Sequence, residues 1–90
     1  MARQLALALT TAQEQELIQH RDHDGHPDIR ERCAAILKIA AGRSPHWVAK
    51  HGLLKERDPD AVYGWLRWYR QAGLAGLLAH RHGGDRRRRL

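Results

Sequence analysis

Apolar residues recur along this chain at helical spacing. Between Asp58 and Gly73, the residues Val62, Trp65, Leu66 and Tyr69 stand at i, i+3, i+4 and i+7, one continuous face of a helix that Asp58 caps, Pro59 opens and Gly73 stops. Those four side chains are its predicted core. Opposite them lie Asp60, Gly64, Arg67 and Gln71, flanked by Tyr63 and Arg70 on one side and Trp68 on the other. A solvated helix face is ordinarily rich in Glu and Lys, so Tyr, Trp, Arg and Gln favour a contact face. Between Pro27 and Gly42, the residues Ile29, Cys33, Ile36, Leu37 and Ala40 fall at i, i+4, i+7, i+8 and i+11. This is the clearest helix in the chain, and it is expected to turn Arg30, Glu31, Arg32 and Lys38 outward.

The remaining elements are shorter or less amphipathic. "SPHWVAKHG" predicts a helix of about two turns, with Ser44 as N-cap, Pro45 at its first position, Trp47, Val48 and Ala49 as its apolar side, and Gly52 turning left-handed after it. "LTTAQEQELIQHRDHD" has Thr11 three residues before Glu14, a capping-box spacing, and predicts a supporting helix to about Arg21 with Ala12, Leu17 and Ile18 as apolar contacts. "LAGLLAH" carries Leu74, Leu77 and Leu78 back towards the core in one more short helix. No internal repeat is present, and period-two alternation is limited to a hint in "LALAL". The expected fold class is therefore all-α, with about four to five short helices. The expected organisation is an N-terminal tail at 1–9, one helical domain at 10–79 and a basic arm or linker at 80–90 with its own Gly-Gly hinge.

Composition narrows what such a domain does. Ninety residues bury a modest core and leave little room for a deep substrate pocket. The single Cys33 rules out an intramolecular disulfide and a multi-cysteine zinc site, suits a cytoplasmic protein, and reads as a small buried apolar residue. "MARQLALALT" is too short to span a membrane and lacks a small-residue cleavage site, so it reads as a tail or docking segment. The acids are scattered through caps and faces, with no phosphate loop and no nucleophile elbow, so no enzyme activity, cofactor or metal is expected. "HRDHDGH", from His20 to His26, holds imidazoles and carboxylates of the metal-ligand type, but a polar helix end and a solvated linker account for it more simply.

Charge adds a candidate partner. The net charge is +6; residues 1–60 hold nine Lys/Arg and nine Asp/Glu, whereas residues 61–90 hold seven Arg against Asp85. The excess therefore sits in the last third, as for a segment facing a polyanion or as in a solvated tail. A two-turn helix, a short connector and a longer amphipathic helix form the grammar of a helix-turn-helix, whose second helix buries one face and lays the other in the major groove. Arg67 and Gln71 suit bidentate readout of base edges there. A protein-interaction module using Trp68, Tyr63 and the leucines of "LAGLLAH" is the alternative from a different class.

Residues 29–78, and within them "AGRSPHWVA", "VYGWL" and "YRQAGLAGLL", resemble the N-terminal DNA-binding domain of bacterial insertion-sequence transposases related to the Tc/mariner group. The resemblance implies a homeodomain-like helix-turn-helix that binds the double-stranded terminal inverted repeats of a transposon and hands them to a catalytic domain. By position, Ser44 would cap the motif's first helix, Asp58, Asp60 and Ala61 would open the recognition helix, and Tyr63, Gly64 and Arg67 would face DNA. Val62, Trp65 and Leu66 match its buried positions. The connector "LLKERDPDA" is longer and more acidic than the "VSRST"-like turn of many relatives. That family's catalytic part, with three metal-binding carboxylates, has no counterpart in these 90 residues, so a separate catalytic transposase chain is a candidate partner. The expected site is thus Tyr63, Arg67 and Gln71 on base edges or backbone, with Gly64 and Asp60 beside them, and Arg43, Lys55, Arg57, Arg70 and the tail residues Arg86, Arg87, Arg88 and Arg89 on phosphates.

Overall fold

The structure, a computed structural model, describes residues 7–79. Five α-helices follow in chain order: α1 (Thr11–His23), α2 (Pro27–Ala40), α3 (Pro45–Trp47), α4 (Pro59–Ala72) and α5 (Leu74–Ala79), with no strand among the described residues. The protein is all-helical. The α3 helix widens directly into a π-helical turn over Val48–Gly52. This explains how a three-residue helix extends to the two turns that the sequence suggests.

Local chemistry sets each boundary. The α1 cap is Thr10 rather than Thr11: its hydroxyl accepts from the Gln13 amide at 3.1 Å, and the Gln13 side chain accepts from the Thr10 amide at 3.0 Å. The capping box expected of Thr11 and Glu14 is displaced by one residue, because Gln serves as well as Glu in that reciprocal arrangement. The helix then runs past Arg21 to His23 and ends on Asp24. Ser44 caps α3 as expected, accepting from the Trp47 amide at 3.0 Å. Asp58 caps α4 through the Asp60 amide at 2.9 Å. Gly42 (φ 112°) and Gly73 (φ 66°) take the positive φ values that end α2 and α4 without a Cβ penalty.

Gly52 behaves differently from the sequence expectation. It has no positive φ. A Cβ there would sit 3.2 Å from Trp47 Cζ3 and 3.3 Å from Lys38 Cδ, so the residue is small in order to admit two side chains.

The core lies where α2, the α3 segment and α4 meet. Ile29, Cys33 and Ile36 of α2, Val48 and Ala49 of the π turn, and Val62 of α4 are fully buried. Trp65, Leu66 and Tyr69 complete the buried face of α4 as predicted, and Leu77 brings α5 onto it. Of the apolar contacts expected in α1, Leu17 is buried, Ile18 is half-buried and Ala12 is exposed. Leu7 and Leu9, expected in a tail, pack against the core, so ordered packing begins before Thr10.

One expectation about α2 is overturned. Arg32 is buried, with its guanidinium donating to the Leu77 carbonyl at 2.9 Å and lying over the rings of Trp65 and Trp68 at 6.0 and 5.4 Å. It stands three residues after Ile29 and four before Ile36, on the apolar stripe itself, where its long stem packs and its charged head meets a carbonyl and two aromatic faces. The arginine thereby fastens α5 to α2 and α4. Gly76 brings the same junction close from the other side, since a Cβ there would land on the Trp68 carbonyl.

Cys33 is buried as expected, and desolvation pushes its thiol up to about 12, so it stays protonated and inert near neutral pH.

Candidate nucleic-acid interface

The α4 helix has one wholly buried side and one largely uncovered side, and this division places the candidate residues. Asp60, Tyr63, Arg67, Arg70 and Gln71 are all exposed. Arg67 and Gln71 stand one helical turn apart, roughly 6 Å along the axis, two bidentate hydrogen-bonding groups on a single ridge. Gly64, expected to be open on the same face, is buried; Arg67 Nη2 comes within 3.9 Å of where its Cβ would be. The arginine thus lies back along the glycine, at ordinary van der Waals distance from where a Cβ would stand.

Trp68 is half-buried, packed against the core and beneath the Arg32 guanidinium. It borders the exposed face rather than projecting from it. That weakens the protein-interaction alternative, which needs Trp68 as a free anchor, and leaves Tyr63 as the exposed aromatic of α4.

At the start of α4 the acids have structural duties. Asp58 is the cap, and Asp60 sits in the first turn, where the helix dipole favours a negative group. The connector ahead of them is pinned by Arg57, whose amide donates to the Ala49 carbonyl at 2.8 Å and whose guanidinium makes a two-pronged pair with Glu31 at 2.7 and 2.8 Å. Glu31 holds the Arg57 guanidinium above its already high usual value. Arg57, expected to meet phosphate, is therefore spent on holding the connector to α2, a role that sequence alone did not reveal. Lys55 is exposed, as is Leu54 beside it. Lys50 pairs with Glu56 at 2.8 Å.

Arg43 is exposed just before α3, with its guanidinium 4.2 Å from the centre of the Trp47 ring. The run Arg86 to Arg89 lies outside the described residues.

Charge is divided across the described chain. Residues 7–42 hold four Lys/Arg against six Asp/Glu, a net of −2, and residues 43–79 hold six Lys/Arg against three Asp/Glu, a net of +3. A polyanion would meet the half containing α3 and α4 first. Between α1 and α2, the Asp24 carboxylate accepts from the His26 amide at 2.8 Å, from His20 Nδ1 at 2.9 Å and from His26 Nδ1 at 3.2 Å. The His26 amide first, and His20 after it, hold the Asp24 carboxyl down at about 2. Among the described residues no group of three or more His, Cys, Asp or Glu is disposed to hold a metal ion. No helix of the described residues is long and apolar enough to cross a membrane.

In comparisons with known proteins, no family model, no curated protein and no solved structure matches this chain. The likeness to the transposase DNA-binding domain rests on the residues quoted for it above.

Proposed function

We propose that this chain is a sequence-specific double-stranded DNA-binding domain of homeodomain-like helix-turn-helix type. In this reading α3 and its π turn form the first helix of the motif, residues 53–58 the turn and α4 the recognition helix. The observation that carries it is the two-sidedness of α4: Val62, Trp65, Leu66 and Tyr69 are locked inside, while Tyr63, Arg67 and Gln71 stand outside on a helix that the core holds rigidly. A recognition helix needs that rigidity, because base readout depends on donors held to within a fraction of an ångström.

The mechanism follows from those positions. Arg67 presents two parallel N–H groups, the pattern that pairs with O6 and N7 of guanine, and Gln71 presents a donor and an acceptor suited to adenine. Tyr63 reaches a base edge or the adjoining phosphate. Arg70 and Lys55 neutralise backbone charge on either side. The natural target, on the strength of the resemblance, is the terminal inverted repeat of a transposon, with the catalytic step left to a separate transposase domain or chain. On this reading the protein acts in the cytoplasm, at the nucleoid.

The test is selection of duplexes from a randomised pool, followed by fluorescence anisotropy on the recovered sequence and a shuffled copy. The recovered duplex is expected to bind more tightly than the shuffled one, and Arg67→Ala is expected to cost roughly 1–3 kcal/mol on the recovered sequence and little on the shuffled one. No enrichment, or equal loss on both, would sink the base-reading role.

A further inference from the structure

The turn between α1 and α2 carries a reactive dipeptide that has no part in the reading of α4. Asp24–Gly25 is the one aspartyl-glycyl pair of the chain, the pairing in which a backbone amide most readily attacks the preceding side chain, because glycine has no Cβ to hinder its nitrogen. Gly25 is exposed, nothing lies within 4 Å of where its Cβ would stand, and its φ is not positive. In the reaction the Gly25 nitrogen bonds to Asp24 Cγ, the hydroxyl of the neutral carboxyl leaves with the amide proton as water, and a five-membered succinimide closes. Water then adds back at either ring carbonyl. Addition at Cγ restores aspartate. Addition at the main-chain carbonyl carbon breaks its bond to the Gly25 nitrogen, so that the chain runs through the side chain as isoaspartate. Water is the sole co-reactant, lost in the first step and regained in the second.

The fold restrains both reacting groups. The Asp24 carboxylate is held at one oxygen by the His26 amide and His26 Nδ1 and at the other by His20 Nδ1. The peptide that contains the Gly25 nitrogen is held through its carbonyl, Asp24 O, which accepts from Arg30 Nη1 at 2.6 Å. Ring closure requires the Gly25 nitrogen to eclipse Asp24 Cβ, a rotation away from the ψ of 139° that Asp24 adopts as the cap of α1. That rotation gives up the Arg30 bond, and the attack frees the carboxyl from its donors. With the carboxyl held at about 2, the neutral acid from which water leaves is also scarcer than in an unfolded chain.

We propose that Asp24–Gly25 is a site of spontaneous isoaspartate formation, and that His20, His26 and Arg30 hold the reaction off for as long as the α1–α2 corner is closed. The rate in the folded protein is then set by local opening of that corner rather than by global unfolding. Once formed, the product cannot close the corner again. It carries one more carbon in the main chain of the turn, and its carboxylate is no longer the side-chain group that His20 and His26 engage. The tie of α1 to α2 is lost, while α4 and its packing are untouched.

The test compares wild type, His20→Ala, Arg30→Gln and Gly25→Ala, each checked by thermal melting, after long incubation at neutral pH in buffer and in urea. The tryptic peptide of residues 22–30 is read by electron-transfer mass spectrometry, which separates isoaspartate from aspartate and locates it among the three aspartates of that peptide. In buffer, His20→Ala and Arg30→Gln are each expected to form isoaspartate at position 24 roughly fivefold faster than wild type, the gain in open population from losing one hydrogen bond of ordinary net strength. In urea all three should react at one common rate, faster than wild type in buffer, and Gly25→Ala should stay slow throughout. A wild type that reacts as fast in buffer as in urea would overturn the proposal, since the fold would then protect nothing. Equal or slower reaction of both clamp variants in buffer would overturn it too, as would a difference between them and wild type that persists in urea, which would make these side chains agents of the chemistry and not of the restraint. Undiminished isoaspartate in Gly25→Ala would refute the assignment of the site.

Discussion

The helices α1 and α4 are nearly equal in length, at 13 and 14 residues, yet they are held by different means. The α4 helix buries Val62, Trp65, Leu66 and Tyr69 along its whole length and is caged by α2, the α3 segment and α5. The α1 helix buries Leu17 alone, and both its ends are tied by polar groups, the Thr10–Gln13 box at one and the Asp24 corner at the other. The α4 helix is fixed by apolar packing against several elements, whereas α1 lies along α2 with Leu17 as its one fully buried side chain and polar ties at both ends. A rigid scaffold for a contact face is what packing provides; a helix of the other kind serves as a lid over α2. The exposed sides differ to match, with Glu14, Glu16 and Asp22 outward on α1 and Arg67, Arg70 and Gln71 outward on α4.

That contrast makes graded predictions. The largest effect is expected of Trp65→Ala, which empties the centre of the packed face and should cost about 3–5 kcal/mol in denaturant unfolding, enough to unfold much of the population of a small domain. A folded and cooperative variant would mean that α4 is rotated from the position described. Leu17→Ala should cost less, about 2–3 kcal/mol, and should act locally. Amide exchange is expected to lose protection through α1 while α4 retains it; uniform loss in both helices would show that α1 is part of the same cooperative unit.

The polar ties of α1 should give smaller and condition-dependent effects. The Asp24 carboxyl is held at about 2 in the fold, against about 3.9 for an unfolded aspartate. Its contribution is therefore complete above about pH 4 and drains away as pH falls towards 2, the direction expected of a depressed acid. Asp24→Asn should lower stability at neutral pH by about 1 kcal/mol after solvent screening and should remove the extra acid sensitivity between pH 4 and 2. An identical acid profile in variant and wild type would show that the corner contributes nothing. Thr10→Ala is the smallest, about 0.5–1 kcal/mol by loss of the cap, read as a lowered melting temperature with α4 untouched.

How far the sequence reveals this architecture depends on what each residue answers to. The buried face of α4 is legible because its four apolar side chains obey helical periodicity and its ends carry Asp58, Pro59 and Gly73, each with one obvious local role. Arg32 misleads because residue type suggests an exposed cation, although its spacing from Ile29 and Ile36 puts it on the apolar stripe; the position was the better guide. Arg57 is a different case, since its partner Glu31 lies 26 residues away and nothing local announces the pair. Gly52 follows the same rule: its smallness answers to Trp47 and to Lys38 of another helix, contacts that exist only once the chain is folded. The one-residue shift of the first cap to Thr10 reflects two adjacent threonines with equivalent chemistry, between which the partner at the third position, Gln13 or Glu14, decides. Of the candidate site, the exposed ridge of Tyr63, Arg67 and Gln71 follows from the wheel alone, whereas the seat of Arg43 on the Trp47 ring required the turn to be built.

In the proposed complex α4 meets DNA and α1 does not. The most direct measurement is a two-dimensional amide NMR titration of the protein with the selected duplex. Shifts should concentrate at Tyr63, Arg67 and Gln71, with Gln15 and Gln19 of α1 undisturbed. Shifts centred on α1, or spread evenly over both helices, would contradict it.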